Sequence, residues 1–378
     1  SLERGPGKAL SPSEKRSRVR SYQSQGLRLA LALEAFDLTR HQYYYRAKAL
    51  SGKDGRSRPG CSASTHTLPF SVDGVVSERP NQEVVDIIQT VQRDDDLRCG
   101  YKRMTAYLHL RGYQINHKKV YRLMLVNDLL LSRLAKVDRR YVTHRCARPE
   151  QPLTLLEMDI KMVWVEEHQR YAFILTILDT FNRVALNWEL GYSMKWADVR
   201  RAWEWVIEHD LQPADLLAKG LHIEIRNDNG PQFLASRLQE FFADNHLVQV
   251  FTHPYTPQEN GHVESFHAIL SQALAHEHFW TLQQLEARLA IFYDKYNNER
   301  IHSATAYLPP QVFQKAWEEG FIELKQGKRK KTIFRLKVPR YQLSGYLKLE
   351  GASRSAPDRL DADSQQPECN KMVSGAVT

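Results

Sequence analysis

Three acids raise the chemical question. Asp159 lies inside the apolar run EMDIKMV, Asp228 closes the stretch HIEIRND, and Glu264 follows the turn-forming QENG. Asp228 and Glu264 each sit near an Asn-Gly pair, with 35 residues between them. Strand side chains alternate, so a carboxylate among Met, Ile and Val points to a partly buried face, where an unpaired charge is costly. The usual remedy is a cation. Three carboxylates brought into one small volume would repel and take up protons unless a divalent metal neutralised them. Hard oxygen ligands that leave open positions suit magnesium or manganese. Two such ions about 3.5–4 Å apart would activate a water or hydroxyl and stabilise the leaving oxygen of a phosphoryl transfer. Each acid alone is better read as an ordinary surface carboxylate; the chemistry requires all three together.

The elements that must position them form an alternation of strands and helices. LTLLEMDIKMVWV (153–165) is apolar and β-prone, EEHQR is a hairpin turn, and YAFILTILD (171–179) reads as a buried strand. RVALNWELGY (183–192) alternates like a third strand, and helix follows over 195–210. A strand at 222–228, a helix at 232–245, a strand at 247–252, the Glu264 helix and a helix at 281–299 capped by Thr281 complete the series. The order βββαβαβαα predicts a mixed sheet with helices on its faces. If its first and fourth strands are neighbours, Asp159 and Asp228 lie side by side.

Upstream, two helical segments precede this core. In the first (1–50), Ser11 or Ser13 can cap a helix, Gln25-Gly26 makes a turn, and Thr39 can cap a third helix bearing Arg40, Tyr43, Tyr44, Arg46 and Lys48. Residues 51–80, rich in Gly, Ser and Pro, read as a linker. The second segment (81–131) has a helix with Val84, Val85, Ile87, Ile88 and Val91 on one face, then a helix ending at Gly112. Its last helix is capped by Asn116, with Val120, Leu123 and Met124 facing inward and His117, Lys118, Lys119 and Arg122 outward. Both segments have a helix-turn-helix pattern, the second more clearly. A basic connector (132–152) leads to the core (153–310). A basic extension with β-prone residues (311–350) and an aperiodic tail expected to be disordered (351–378) follow it.

Charge supports this division. The net +9 resolves into +8 over 1–60, −5 over 61–97, +10 over 98–150, −9 over 151–310, +6 over 311–350 and −1 beyond. Basic flanks around an acidic middle suggest phosphate-backbone contact, which releases counterions. Cys61, Cys99, Cys146 and Cys369 form no C-x-x-C pair, so a zinc finger is not expected. No apolar run approaches the ~20 residues of a membrane helix.

The wording of the chain resembles bacterial insertion-sequence transposases whose catalytic core is of the retroviral-integrase type. The resemblance is carried by GYKRMTAYLHLRGYQINHKKVYRLM, DTFNRVAL, NDNGPQF, HPYTPQENGHVESFH and FYDKYNNERIHSA, in that order, over roughly 40–310. It implies an α/β ribonuclease-H-like catalytic core, with a mixed five-stranded sheet, preceded by all-α helix-turn-helix segments. Asp159, Asp228 and Glu264 then become the catalytic metal ligands for two Mg2+ or Mn2+ ions. The implied chemistry is DNA strand cleavage by metal-bound water, then attack of the freed 3′-hydroxyl on another phosphodiester. The implied partners are the terminal inverted repeats of a mobile element, target DNA, and further copies of the chain, at least a dimer on paired ends. The setting would be the bacterial cytoplasm and nucleoid, with no membrane.

DNA contacts are expected from Arg40, Tyr44, Arg46, Lys48, Lys102, Arg103, His117, Lys118, Lys119, Arg122, Arg139, Arg140, Asn260, Lys328, Arg329, Lys330 and Lys331. Asp179 reads as structural or as support for the site, and Asn260 could also orient the Glu264 helix. One position departs from the family. Many relatives carry Lys or Arg seven residues after the catalytic Glu, where this chain has Ser271; Lys295 or Arg300 is the expected substitute. Two other readings stay open: an integrase of a retroelement or phage, against which the lack of an HHCC segment argues, and a silent transposase-derived DNA-binding protein.

Overall fold

The computed structural model describes residues 12–44, 64–69, 76–132, 149–215, 222–253, 257–326 and 332–347. The chain divides into two compact units, Ser1–Ser64 and Thr65–Thr378. In the first, α1 (Pro12–Ser24) and α2 (Leu29–Ala35) are joined through Gly26, whose φ of +93° favours glycine. Thr39 and Gln42 exchange backbone–side-chain hydrogen bonds of 3.2 and 3.0 Å, a capping box that starts the helical turn at 40–44. Val19, Ala32, Leu33 and Tyr43 form the small core.

The centre of the second unit is a five-stranded sheet. Its strands are β4 (Leu155–Val165), β5 (Arg170–Asp179), β6 (Ala185–Gly191), β7 (Ile223–Asn227) and β8 (Leu247–Phe251), in the order β6-β5-β4-β7-β8. The first three are antiparallel, while β4, β7 and β8 run parallel. Alternation along β5 sorts its side chains between two cores. Leu175 and Ile177 join Met158, Ile225, Trp203 and Phe242 on one face. Ile174 and Leu178 join Val165, Phe266, Leu270 and Phe292 on the other. Trp203 lies on the helix Trp196–Val206 and Phe242 on Ser236–Asp244, so these two helices cover the first face. The helices Gly261–Ala273 and Leu282–Asn298 cover the second. Thr281 caps the latter in a capping box with Gln284.

The helix-turn-helix pattern is present as α3 (Asn81–Arg93), α4 (Tyr101–Leu110) and α5 (His117–Val126), which makes the four core helices named above α6 to α9 in chain order. Gly112 turns the chain at φ +89°, and Asn116 accepts the Lys118 N–H at 2.9 Å as the cap of α5. Val120 and Met124 are buried and Leu123 partly so, with the basic face largely outward.

The structure corrects two boundaries. The stretch read as a linker over 51–80 contains strands β1 (His66–Pro69) and β2 (Arg79–Pro80), which form a three-stranded sheet with β3 (Tyr113–Gln114) in the order β2-β1-β3. Strands of two to four residues show no alternation; only pairing with residues remote in sequence stabilises them. The extension read as basic and possibly β begins instead with helix α10 (Pro310–Glu318), opened by proline in the first helical turn. The β reading holds further on, where β9 (Ile322–Gln326) pairs antiparallel with β10 (Thr332–Leu336). Most of the basic connector, over 133–148, and the tail over 351–378 lie outside the described residues.

The extension packs into the helix-turn-helix core. Val84, Ile88, Met104, Leu108 and Met124 share one cluster with Phe181, Ile301, Val312, Phe313 and Leu343. Phe181, on the loop after β5, meets Phe313, Trp317 and Phe334 edge-on or tilted at 4.8–5.9 Å. Charge adds to the join: Arg288 meets Asp96 and Lys295 meets Asp94 at 2.7 and 2.6 Å, and Arg300 donates to the Asp96 carbonyl.

Phe313 is fully buried at the junction. Phe313→Ala should cost roughly 3–5 kcal/mol and lower the denaturation midpoint of the helical and sheet parts together. Two separated transitions in a urea melt would contradict the shared core.

Candidate active site

Strand pairing brings the first two acids to the same region of the sheet. Leu155, Leu156 and Glu157 of β4 lie opposite Glu224, Ile225 and Arg226 of β7. Asp159 lies two residues beyond this ladder on β4 and Asp228 just past the end of β7, near enough for the charge of Asp159 to act on Asp228. Asp228 follows the last residue of β7, and its Oδ1 accepts the Gly230 N–H at 3.2 Å as the chain turns away. Asn227, fully buried, holds that turn. Its Oδ1 accepts from Gln249 at 3.0 Å, and its Nδ2 donates to the Asp228 carbonyl at 2.6 Å.

Glu264 is placed by a different acid. Glu157 is 1% exposed, and its carboxylate accepts the backbone N–H groups of His262 and Val263 at 2.9 and 2.8 Å. His262 Nδ1 lies 2.7 Å from its other oxygen. These amides are in the first turn of α8, where unsatisfied donors and the helix dipole favour an anion. Asn260, just before the helix, donates to the Met158 carbonyl at 3.3 Å. Glu157 is two residues from Asp159 and so shares its face of β4, which fixes the Glu264 helix over the same sheet edge.

Asp159 faces His267, one turn beyond Glu264: the His267 Nδ1–Asp159 Oδ2 distance is 3.3 Å. His267 is backed by Thr176, whose hydroxyl is 2.6 Å from that of the buried Tyr293. Asp159 acts electrostatically on both other acids. Desolvation, then the charge of Asp159, pushes the carboxyl of Asp228 up against the pull of the Gly230 N–H, and the same two causes, with Glu157 third, push Glu264 up. Asp228 and Glu264 therefore each feel the charge of Asp159 on the central strand. They are not clasped: among the described residues, no three His, Cys, Asp or Glu side chains are grouped closely enough to hold a metal ion.

Other expected residues divide sharply. Asp179 is fully buried and accepts the N–H groups of Leu153 and Phe181 at 3.0 and 2.9 Å, tying together the start of β4 and the loop after β5. That is a structural role. Asn260, expected at DNA, is 5% exposed and bonded to the sheet; it helps position the Glu264 helix. Lys119 is half-buried and donates to the His66 carbonyl, so it ties α5 to β1 instead of facing outward. Arg103 is half-buried beside Cys99 and Arg300. Neither substitute for a cation at position 271 is free: Lys295 pairs with Asp94, and Arg300 is 6% exposed.

Arg40, Tyr44, Lys102, His117, Lys118 and Arg122 are exposed as expected. Arg46, Lys48, Arg139, Arg140, Lys328, Arg329, Lys330 and Lys331 lie outside the described residues. Cys99 is a free thiol that burial pushes up to about 11, consistent with a reduced, inert side chain. Sequence reasoning missed Glu157 as an anchor and His267 as a partner of Asp159. The signal was available, because Glu157 and Asp159 share parity on one strand.

Comparison with known proteins places these elements. An integrase core domain family matches residues 149–257, a second integrase core domain family matches 246–310, and an HTH-like domain family matches 79–136. The chain is 27% identical over 218 residues to a 31.7-kDa protein of insertion element IS407 from Burkholderia multivorans, covering 57% of this chain and 75% of that one. It is 25% identical over 290 residues to the putative transposase InsK of insertion sequence element IS150 from Escherichia coli, covering 74% and 90%. Among solved structures, the catalytic domain of Mos1 mariner transposase matches with a TM-score of 0.34 at 12% identity, over 44% of this chain and 76% of that chain.

Two outcomes test these placements. Glu157→Gln keeps the shape but removes the charge from the helix N-terminus; it should cost about 1.5–3 kcal/mol and speed hydrogen exchange at His262 and Val263. Unchanged exchange there would contradict the anchor. Burial raises the Asp179 carboxyl from 3.8 to about 7, with its two backbone N–H partners opposing. The native state then holds a proton that the unfolded state releases, so the contribution of Asp179 is fully present below about 3.8 and declines as pH rises to about 7. Asp179→Asn should flatten that part of the stability–pH curve, by about 1.4 kcal/mol per pH unit within the window; parallel curves would refute the shift.

Proposed function

We propose that this chain, which belongs to the insertion-element transposases built on an integrase-type, ribonuclease-H-like core, binds the terminal inverted repeats of its element and cuts and joins DNA at Asp159, Asp228 and Glu264. The observation that supports this reading is the parallel pairing of β4 with β7, which leaves Asp159 and Asp228 just beyond its end, with the Glu264 helix pinned by Glu157 two residues before Asp159.

The donor set fits a hard divalent cation. All three side chains offer only oxygen, and burial followed by the charge of Asp159 raises the other two carboxyls, a cost that a cation would offset. Asp159, Asp228 and Glu264 would hold magnesium or manganese, two ions in this reading. When bound, the metal supplies Lewis-acid polarisation of a phosphodiester and lowers the pKa of the attacking water or 3′-hydroxyl. The residues of the chain do the rest. Glu157 and Asn260 keep the Glu264 helix at the sheet edge, and His267, backed by Thr176 and Tyr293, orients the Asp159 carboxylate. Asn227 shapes the turn that presents Asp228.

Grip on DNA belongs to the exposed faces of α4 and α5, where Lys102, His117, Lys118 and Arg122 meet solvent. Because these helices share a core with the C-terminal extension, the DNA they hold has a defined geometry relative to the acids. Two element ends must be paired, so the active form is at least a dimer on DNA, and the setting is the bacterial cytoplasm at the nucleoid.

Nicking of an end-labelled terminal repeat, with and without magnesium, tests the proposal. Asp228→Asn should reduce metal-dependent cutting to background while leaving end binding close to that of the parent. A parent protein that shifts the labelled end yet never cuts it would be a binding protein only, and the catalytic reading would fall.

A further inference from the structure

A cleft of about 1450 Å³ lies within the second unit, walled by the helix-turn-helix region, the loop after β5, and the segment from β10 to Tyr341. Among the described residues, three arginines line it, Arg183, Arg335 and Arg340, and no Asp or Glu does. That is unusual beside a core whose net charge is −9 over 151–310. Aromatic rings, Tyr307 and Phe334 among them, interleave with the cations, and the Arg340 guanidinium sits 6.0 Å from the Tyr307 ring centre.

Two of these cations are incompletely satisfied. Arg183 Nη1 and Arg340 Nε are buried and make no hydrogen bond. Arg340 spends one N–H on the Ala306 carbonyl at 2.8 Å. Arg183 is held at φ +68°, a left-handed conformation uncommon for a side chain of this size. Buried donors of this kind cost stability unless an acceptor completes them, and a guanidinium can be satisfied only by acceptors. His262 also lines the cleft, in the first turn of the Glu264 helix. The cleft therefore borders the first turn of the helix that carries Glu264.

We propose that this cleft holds an unpaired stretch of a DNA strand, its phosphates on Arg183 and Arg340 and its bases against Tyr307 and Phe334. Interleaved cations and aromatic faces are the combination that binds single-stranded nucleic acid without reading sequence. The proposal rests on the transposase reading, and assigns to the strand that approaches the acids a channel separate from the duplex-binding face of α4 and α5. A strand opened there is delivered to the edge from the His262 side.

The test uses the full chain, without metal, and a fluorescent oligo(dT) of about twelve nucleotides, beside a duplex of equal length. Arg340→Gln should weaken oligo(dT) binding about tenfold and reduce the steepness of its log–log salt dependence by about 0.7, with duplex binding little changed. Arg183→Gln should act in the same direction. Because either variant could lose folded protein, photocrosslinking of the parent with a 4-thiothymidine oligonucleotide gives an independent readout: adducts are expected in peptides containing Tyr307 or Phe334. Adducts confined to α5, residues 117–126, or equal oligo(dT) affinity in folded variants, would overturn the proposal. Cutting of element ends without cleft adducts would sink this inference alone. Cleft adducts in a protein that never cuts would sink the transposase reading instead.

Discussion

A single buried carboxylate governs how the acids meet. Glu157 sits in the middle of the sheet, almost without solvent, where an isolated charge would be untenable. It is tolerable because the first turn of α8 supplies two N–H donors and the positive end of its dipole, with the His262 ring beside the same group. The dependence runs both ways. The helix needs an acceptor for its orphan amides, and the strand needs donors for its charge, so neither can shift without leaving the other unsatisfied. Glu264 lies on the same first turn, and its position follows. There is a cost: the charge of Glu157 adds to that of Asp159 in pushing the Glu264 carboxyl up. The contact that positions the third acid also makes its ionised form harder to keep.

The second unit extends this rigidity to the helix-turn-helix region. In a chain of separately folded modules, a linker would set the distance between a duplex-binding face and a catalytic edge. Here Phe181, immediately after the strand that holds Asp179, packs among Phe313, Trp317 and Phe334 in the cluster that also buries Met104 and Met124. The ion pairs of Arg288 and Lys295 with the 94–96 loop reinforce the join. Exposed pairs contribute little, but Asp96 is 4% exposed, so its charge depends on these partners. Hydrophobic burial binds the two parts, and the ionic network sets their orientation.

Much of the sheet was legible because its strands are long, apolar and bounded by turns. Runs such as YAFILTILD leave little room for another reading, and the caps at Asn116, Thr39 and Thr281 are local chemistry that a sequence displays directly. What was hidden depends on remote partners. His66–Pro69 is a strand only because Arg79, Pro80, Tyr113 and Gln114 lie beside it. Asn260 and Lys119 look like polar residues available to a ligand until the Met158 and His66 carbonyls are seen to accept from them. Glu157 was legible as an acid in an apolar strand but not as an anchor, because its donors come from a helix about a hundred residues away.

Position 271, where the resemblance leads one to expect a basic residue, shows how local contacts absorb side chains. Ser271 donates to the His267 carbonyl one turn back, so its hydroxyl is absorbed by its own helix. Lys295 and Arg300, near enough in sequence to take over, are held by Asp94 and by the Asp96 carbonyl and serve the join between the two parts of the unit. A phosphate close to the acids must still find cations, because the edge itself is strongly negative and long-range attraction fades over about 8–10 Å at physiological salt. Arg183 and Arg340, with unmet donors, line the cleft that His262 also lines. In the proposed function, with Ser271 on α8 in place of a cation, a strand reaching the acids would meet the cations of the cleft from the His262 side.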